Sequence, residues 1–274
     1  MRGIIAGLAF AGLAVVMIVS PQAGMADVED CGQPPRPLVS VGVDPIDDTP
    51  WVRTTVGITK SRTITVRAEL RCGGPVDIGE VGVLAVLGDS VQGASVLLRP
   101  ADPSSPNLVV GSLSVSPADL DNTMAGQVPV TFRAGKIGWD RVLSELVIDQ
   151  VYEEKAVTTV HIYRAARLTI KVTPKRVRVG KAVTVTGKLS RADWDSGNYR
   201  GYARRPVMLS YYYGVGGCEK YKTVITGPDG RLKTTFKPDL DVGPLRWTFA
   251  GNSTTARKHS KIVQVETTEK EPCV

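Results

Sequence analysis

A two-residue rhythm restricts this chain more than any other feature. Leu168, Ile170 and Val172 alternate with Thr169, Lys171 and Thr173, and Val183 and Val185 alternate with Thr184 and Thr186. A period of two sends successive side chains to opposite faces, which suits a half-buried strand and not an amphipathic helix. Further runs predict strands at Val207 to Tyr213, Tyr221 to Thr226, Leu232 to Phe236, Leu245 to Phe249 and Ile262 to Val265. Between two of them lies Gly227-Pro228-Asp229-Gly230, a tight-turn sequence in which proline presets one dihedral and glycine accepts a positive one. Seven short strands with no long helical pattern predict an immunoglobulin-like β-sandwich, with Trp247 in its core.

The first half follows the same plan. Strands are expected at Leu38 to Val43, Val52 to Ile58, Thr63 to Leu70, Val81 to Leu87, Ala94 to Leu98, Leu108 to Val115, Val128 to Phe132, Leu146 to Val151 and Thr158 to Tyr163. Trp139, Val142, Leu143, Leu146 and Val147 also fit one face of a short helix, so residues 136–151 stay open between strand and helix. Arg62 to Leu70 lines up with Lys181 to Leu189, and Val130 to Arg133 with Thr234 to Lys237, as two diverged copies of one architecture would. The expectation is therefore an all-β protein with two tandem immunoglobulin-like sandwiches, residues 27–163 and 164–274. The short join Tyr163-Arg164-Ala165-Ala166-Arg167 predicts an end-to-end arrangement with limited swing.

Residues 1–26 have the form of an export signal: an apolar run from Ile4 to Val19 and the small residues Gly24 and Ala26 around a cleavage site. Its removal leaves a secreted, extracellular chain, loosely associated with the cell wall if at all and with no span in the membrane. Oxidising surroundings allow Cys31, Cys72, Cys218 and Cys273 to pair in three ways, of which Cys31–Cys72 and Cys218–Cys273 keep each bridge within one sandwich. Charge divides sharply between the halves. Residues 27–163 hold 11 basic and 18 acidic side chains, a net of −7, and residues 164–274 hold 22 and 9, a net of +13. Such a split predicts mutual attraction of the halves, or a basic face directed at an anionic polymer.

The stretch Val183 to Trp194, followed by Tyr199-Arg200-Gly201-Tyr202 and Pro206-Val207-Met208-Leu209, resembles a module of secreted proteins from high-GC Gram-positive bacteria. Gly230 to Thr235 and Arg246 to Thr255 resemble it too. The resemblance implies an export signal followed by two β-rich, immunoglobulin-like domains. It adds architecture and compartment, and little chemistry.

Catalytic and metal-binding patterns are sparse. Asp193-Trp194-Asp195, Asp119-Leu120-Asp121-Asn122 and Asp239-Leu240-Asp241 place oxygen ligands at alternate positions, as a calcium loop begins. Counted from Asp193, however, position twelve is Arg204, where a bidentate glutamate belongs. Calcium at Asp193 and Asp195 is thus the weaker reading beside ordinary turn chemistry, and no cofactor is expected. Val83 to Ser90 resembles the strand-Gly-Asp-Ser opening of GDSL esterases, whose serine needs a histidine base in an Asp-x-x-His. Here His161 and His259 follow Thr158 and Ala256 at that spacing, which argues against an enzyme.

The remaining candidates are basic and aromatic. Trp194, Tyr199, Arg200, Tyr202, Arg204 and Arg205 fall within twelve residues on what is expected to be a long inter-strand loop, a composition suited to stacking on sugars or binding phosphate. Lys171, Lys188, Lys233 and Lys237 occupy outward strand positions. These readings point to a secreted, non-enzymatic interaction module whose partner is an anionic cell-wall polymer or an extracellular protein, not nucleic acid. A calcium-dependent adhesion module is the alternative.

Overall fold

Buried and exposed side chains alternate along Ile64–Leu70 and Arg231–Phe236, and the strands of this protein pack as two pairs of facing sheets. A computed structural model describes residues 38–44, 53–70, 81–88, 94–105, 107–142, 145–213, 217–238 and 243–268. The first half contains β1 (Leu38–Val43), β2 (Arg53–Val56), β3 (Arg62–Leu70), β4 (Val81–Leu87), β5 (Ser95–Leu97), β6 (Arg99–Pro100), β7 (Leu108–Val115), β8 (Gly126–Asp140) and β9 (Glu145–Arg164). The second contains β10 (Ala166–Leu168), β11 (Lys171–Thr173), β12 (Arg176–Arg178), β13 (Val183–Asp193), β14 (Asn198–Gly201) and β15 (Pro206–Tyr213). It continues with β16 (Gly217–Ile225), β17 (Arg231–Phe236), β18 (Leu245–Phe249), β19 (Lys258–His259) and β20 (Glu266–Thr268). Among the described residues the only helical pieces are two 3-10 turns, at Pro117–Asp119 and Asn122–Met124.

Strand order identifies the architecture. In the first half the sheets run β1-β3-β7-β6 and β2-β9-β8-β4-β5. Lettered A to G along the chain, these are an A-B-E-D sheet facing a G-F-C sheet extended at both edges, by β2 beside G and β5 beside C, the immunoglobulin arrangement. The second half repeats it: β13 pairs with β10, β11 and β17, and β16-β15-β18-β19 forms the opposing sheet. In each half a short strand after the first pairs in parallel with the last, β2 with β9 and β12 with β20. The chain is all-β, with two immunoglobulin-like sandwiches.

Each sandwich has its own core. Ile64, Val66, Leu113, Val130 and Phe132 are among the fully buried side chains of the first, and Val183, Val185, Leu189, Leu209 and Trp247 of the second. The aligned segments Arg62 to Leu70 and Lys181 to Leu189 form β3 and β13, the same position in the two sandwiches. Val130 to Arg133 and Thr234 to Lys237 fall on β8 and β17, which occupy different positions, so that second match is chance similarity of two strands.

Several boundaries depart from expectation. Residues 136–140 and 145–151 are strand, not helix: β8 and β9 form one long hairpin in which Trp139 faces Leu146. The apolar spacing there satisfies both periods, and Gly135 and Gly138 weaken the helix. The expected strand at Ile262 to Val265 contributes a single bridge, Leu245 to Val263, and the last strand position is divided between β19 and β20. The Gly227–Gly230 turn closes as expected, with Gly230 N donating to Gly227 O at 2.9 Å and Gly230 at φ 80°. Among the described residues no helix is long and apolar enough to cross a membrane. The export signal, Cys31, Cys72, Cys273, Asp89, Ser90, Asp239 and Asp241 lie outside the described residues, as does the side chain of Cys218.

Candidate functional site

The chain passes from one sandwich to the other without a free linker. Ala165 N donates to Val56 O in the first sandwich at 2.9 Å, and Ala192 N in the second donates to Ala165 O at 2.8 Å. Arg164 N donates to Thr254 O and Ala256 N to Arg164 O, at 3.0 and 3.1 Å. The Arg164 side chain is buried, with Nε donating to Ala192 O at 2.5 Å. Burial, helped by the like charge of Arg191, lowers its pKa, and Asp193 and Asp195 act in the opposite direction.

The expected long loop is a hairpin. β13 continues to Asp193, turns through Gly197 at φ 63°, a value glycine tolerates, and returns as β14. Its tip leans onto the first sandwich. Ala192 and Trp194 belong to that sandwich's core, and Tyr199 packs against it. Trp194 is only 6% exposed, and its Nε1 donates to Gly57 O at 2.9 Å.

Asn122 completes the contact. Its amide donates to Asp193 Oδ1 at 2.6 Å and Asp195 Oδ2 at 2.5 Å, its backbone N donates to Asp195 Oδ1, and its Oδ1 accepts from Trp194 N at 3.1 Å. Asp193 also pairs with Arg200 Nε at 2.7 Å. The Asn122 hydrogen bond is the largest influence on Asp193, and the carboxyl is held below its ordinary pKa. Two of the calcium-like sequences, 119–122 and 193–195, thus meet across the junction and bond to each other. Among the described residues no three His, Cys, Asp or Glu side chains gather as a metal site.

The six binding candidates therefore divide. Trp194 and Tyr202 are buried, one in each core, and present no open ring face. Tyr202 lies beside the guanidinium carbons of Arg191 and Arg205, at 4.2 and 4.5 Å from the ring centre, and its hydroxyl accepts from Asn252 at 2.6 Å. Tyr199 is half-buried and carries Arg167 at 3.7 Å over its ring. Arg200 is held by Asp193, and Arg204 is exposed at a left-handed φ of 54°. Arg205 N donates to Thr226 Oγ1 at 2.8 Å. Trp194, Tyr199 and, through Asp193, Arg200 lie at an internal seam, and Tyr202 and Arg205 are bound within the second sandwich. Sequence reasoning missed Gly57, which lies 137 positions from Trp194, and Arg164, Arg167 and Arg191, whose contacts depend on how the strands pair.

The four lysines behave differently. Antiparallel partners share a face, and Lys171 pairs with Thr186, which pairs on its other side with Lys233. Two residues along, Lys188 pairs with Arg231, and its backbone N donates to Thr169 Oγ1 at 2.9 Å. Two residues the other way lies the row Thr173, Thr184, Thr235. Lys237 follows next along the chain in outward phase, and Arg167 extends the face at the opposite end. Lys171, Lys188, Lys233 and Lys237 are all exposed. The one ion pair on this face among the described residues is Arg231 with Asp229, at 2.8 Å.

No protein-family model and no curated protein matches the sequence. Solved structures that it resembles include the adhesin InvE of Yersinia pseudotuberculosis, at 13% identity over 77% of this chain and 56% of that one, with a TM-score of 0.27. A tetra-tandem repeat from the extending region of a large adhesion protein is 15% identical over 82% of this chain and 48% of its own, with a TM-score of 0.28. The ectodomain of mouse nectin-like molecule 4 is 9% identical over 87% and 67%, with a TM-score of 0.28. The chain spans about half the length of the first two. Overlap this slight carries no functional argument, and the strand order above stands without it.

Proposed function

We propose that this protein is a secreted, non-enzymatic interaction module of the cell envelope, which holds an anionic polymer against its second sandwich. One observation carries the reading: the outward face of β11, β13 and β17 presents Lys171, Lys188, Lys233 and Lys237 among threonines, with no carboxylate pairing these lysines among the described residues. Unpaired like charges on one flat face repel one another, and a multivalent anion relieves that repulsion. Thr186 Oγ1 donates to Lys171 O at 3.3 Å, and the next row, Thr173, Thr184 and Thr235, adds hydroxyl donors to anionic oxygens. The candidates in the 194–205 region contribute by holding the face's neighbour in place, not by stacking on ligand.

The test is retention of the full chain on anionic cell-wall polymer as salt is raised. Binding is expected at low ionic strength and loss by about 0.5 M, where screening reduces charge interactions to within a few ångströms. Retention unchanged across that range would overturn the proposal.

A further inference from the structure

The spacing of the basic face specifies more than charge. Residues of one face recur every second position, so successive rows lie about 7 Å apart along β13. The rows are Arg167 with Ser190, then Lys188 with Arg231, then Lys171 and Lys233 on either side of Thr186, then a threonine row, then Lys237. Three consecutive rows therefore carry cations at one interval, and the fourth row carries hydroxyls. Arg167 marks the end nearest the first sandwich. Its guanidinium carbon lies 3.7 Å from the centre of the Tyr199 ring, and an arginine fork is suited to bidentate recognition of an oxyanion.

We infer that this face takes an extended phosphodiester chain lying along β13, with one phosphate per row. This rests on the polymer-binding reading above and adds the ligand's chemistry and charge spacing. An extended chain advances roughly 1.2 Å per backbone bond, so a row interval of about 7 Å corresponds to about six bonds between charges. A phosphate joined through a three-carbon diol repeats every six bonds. Inorganic polyphosphate repeats every two, and polyglutamate carries carboxylates on flexible side chains. The arginine fork fits tetrahedral phosphate oxygens at the first row, and the ammonium groups act as point charges at the others.

The experiment measures binding of the full chain to three polymers of matched charge number at low salt: poly(glycerol phosphate), inorganic polyphosphate and polyglutamate. Poly(glycerol phosphate) is expected to bind tightest, and each of Lys188→Gln and Lys171→Gln to weaken it about five-fold, in line with roughly 1 kcal/mol per basic residue at an anionic surface. Lys60→Gln, an exposed lysine of the first sandwich, is expected to change nothing. Equal or tighter binding of polyphosphate or polyglutamate overturns the spacing while leaving polymer binding intact. Binding of poly(glycerol phosphate) that ignores Lys171→Gln and Lys188→Gln overturns the location. Failure of all three polymers to bind overturns the proposed function itself.

Discussion

Replacing Trp194 with alanine removes a side chain that grows from one sandwich and fills the core of the other. An aromatic side chain of this size buries roughly 150–250 Å², which at about 25 cal/mol per Å² is worth about 4–6 kcal/mol. Partial relaxation around the vacated volume brings the expected loss to about 3–5 kcal/mol, as for other large-to-small aromatic truncations. The variant also loses the 2.9 Å hydrogen bond to Gly57 O. A single domain has only about 5–15 kcal/mol to lose, so most of the coupling between the sandwiches should disappear. In differential scanning calorimetry the native chain is expected to unfold in one cooperative transition, and Trp194→Ala in two, with the first sandwich melting earlier. Small-angle scattering should show a larger radius of gyration, since the hairpin tip no longer anchors the junction. Trp247→Ala provides the contrast: that ring is fully buried in the second core, so its loss should lower the second transition. Melting of Trp194→Ala in a single transition superimposable on that of the native chain would show that the plug does not couple the sandwiches.

Asn122→Ala should loosen the same junction, because it leaves Asp193 and Asp195 without their amide donor; about 2–3 kcal/mol is expected for hydrogen bonds to charged groups, read by chemical denaturation. Asp193 links the junction to pH. Its folded-state pKa lies below the ordinary 3.8, so its stabilisation is complete above that value and disappears as pH falls through the lowered one; acid titration should loosen the native junction, and Asp193→Asn should flatten this dependence. His259 behaves with the same sign. Burial, then Arg246, Arg257 and Lys258, lower its pKa from 6.5, so the unfolded chain binds its proton first and stability of the second sandwich should fall as pH drops below about 6.5, a slope that His259→Gln should remove. Gly201→Ala should destabilise the hairpin side of the second sandwich, since an added Cβ would stand 2.1 Å from the Asp229 carbonyl oxygen, a backbone atom with nowhere to retreat; thermal melting checks it.

Short runs rich in valine and leucine were legible as strands: β1, β4 and β7 match their expected spans residue for residue. Strand ends were less so. β8 and β9 run far beyond their apolar stretches, because two long strands satisfy each other's backbone groups across a hairpin whatever their side chains. Of the binding candidates, Trp194 and Tyr202 are buried and hold the cores together. Aromatic residues with arginine are enriched wherever two protein surfaces meet, and a seam within one chain draws on the same side chains as a ligand site. Trp194 stands at a hairpin tip, where sequence suggests exposure, and only the approach of Gly57 from the other sandwich buries it. The lysines needed no such knowledge, since period-two phase alone places them outward.

The opposite charges of the two halves suggested that the sandwiches attract each other electrostatically. Contact between them is made otherwise, through the Trp194 plug, the uncharged Asn122 amide and the backbone bonds at Arg164 and Ala165. Among the described residues, the ion pairs Arg67–Asp44, Arg176–Glu266, Arg200–Asp193 and Arg231–Asp229 each lie within one half, and none crosses the seam. The seam therefore does little to neutralise the positive excess of the second sandwich, which remains on its surface and concentrates on one sheet. The junction and the charged face are separable by mutation: substitutions at Asn122 or Trp194 should change melting and leave the salt dependence of polymer retention intact, and substitutions at Lys171 or Lys188 should do the reverse. If Trp194→Ala alone abolished retention while the second sandwich stayed folded, the ligand would have to span the seam, and the lysine face would not be its principal site.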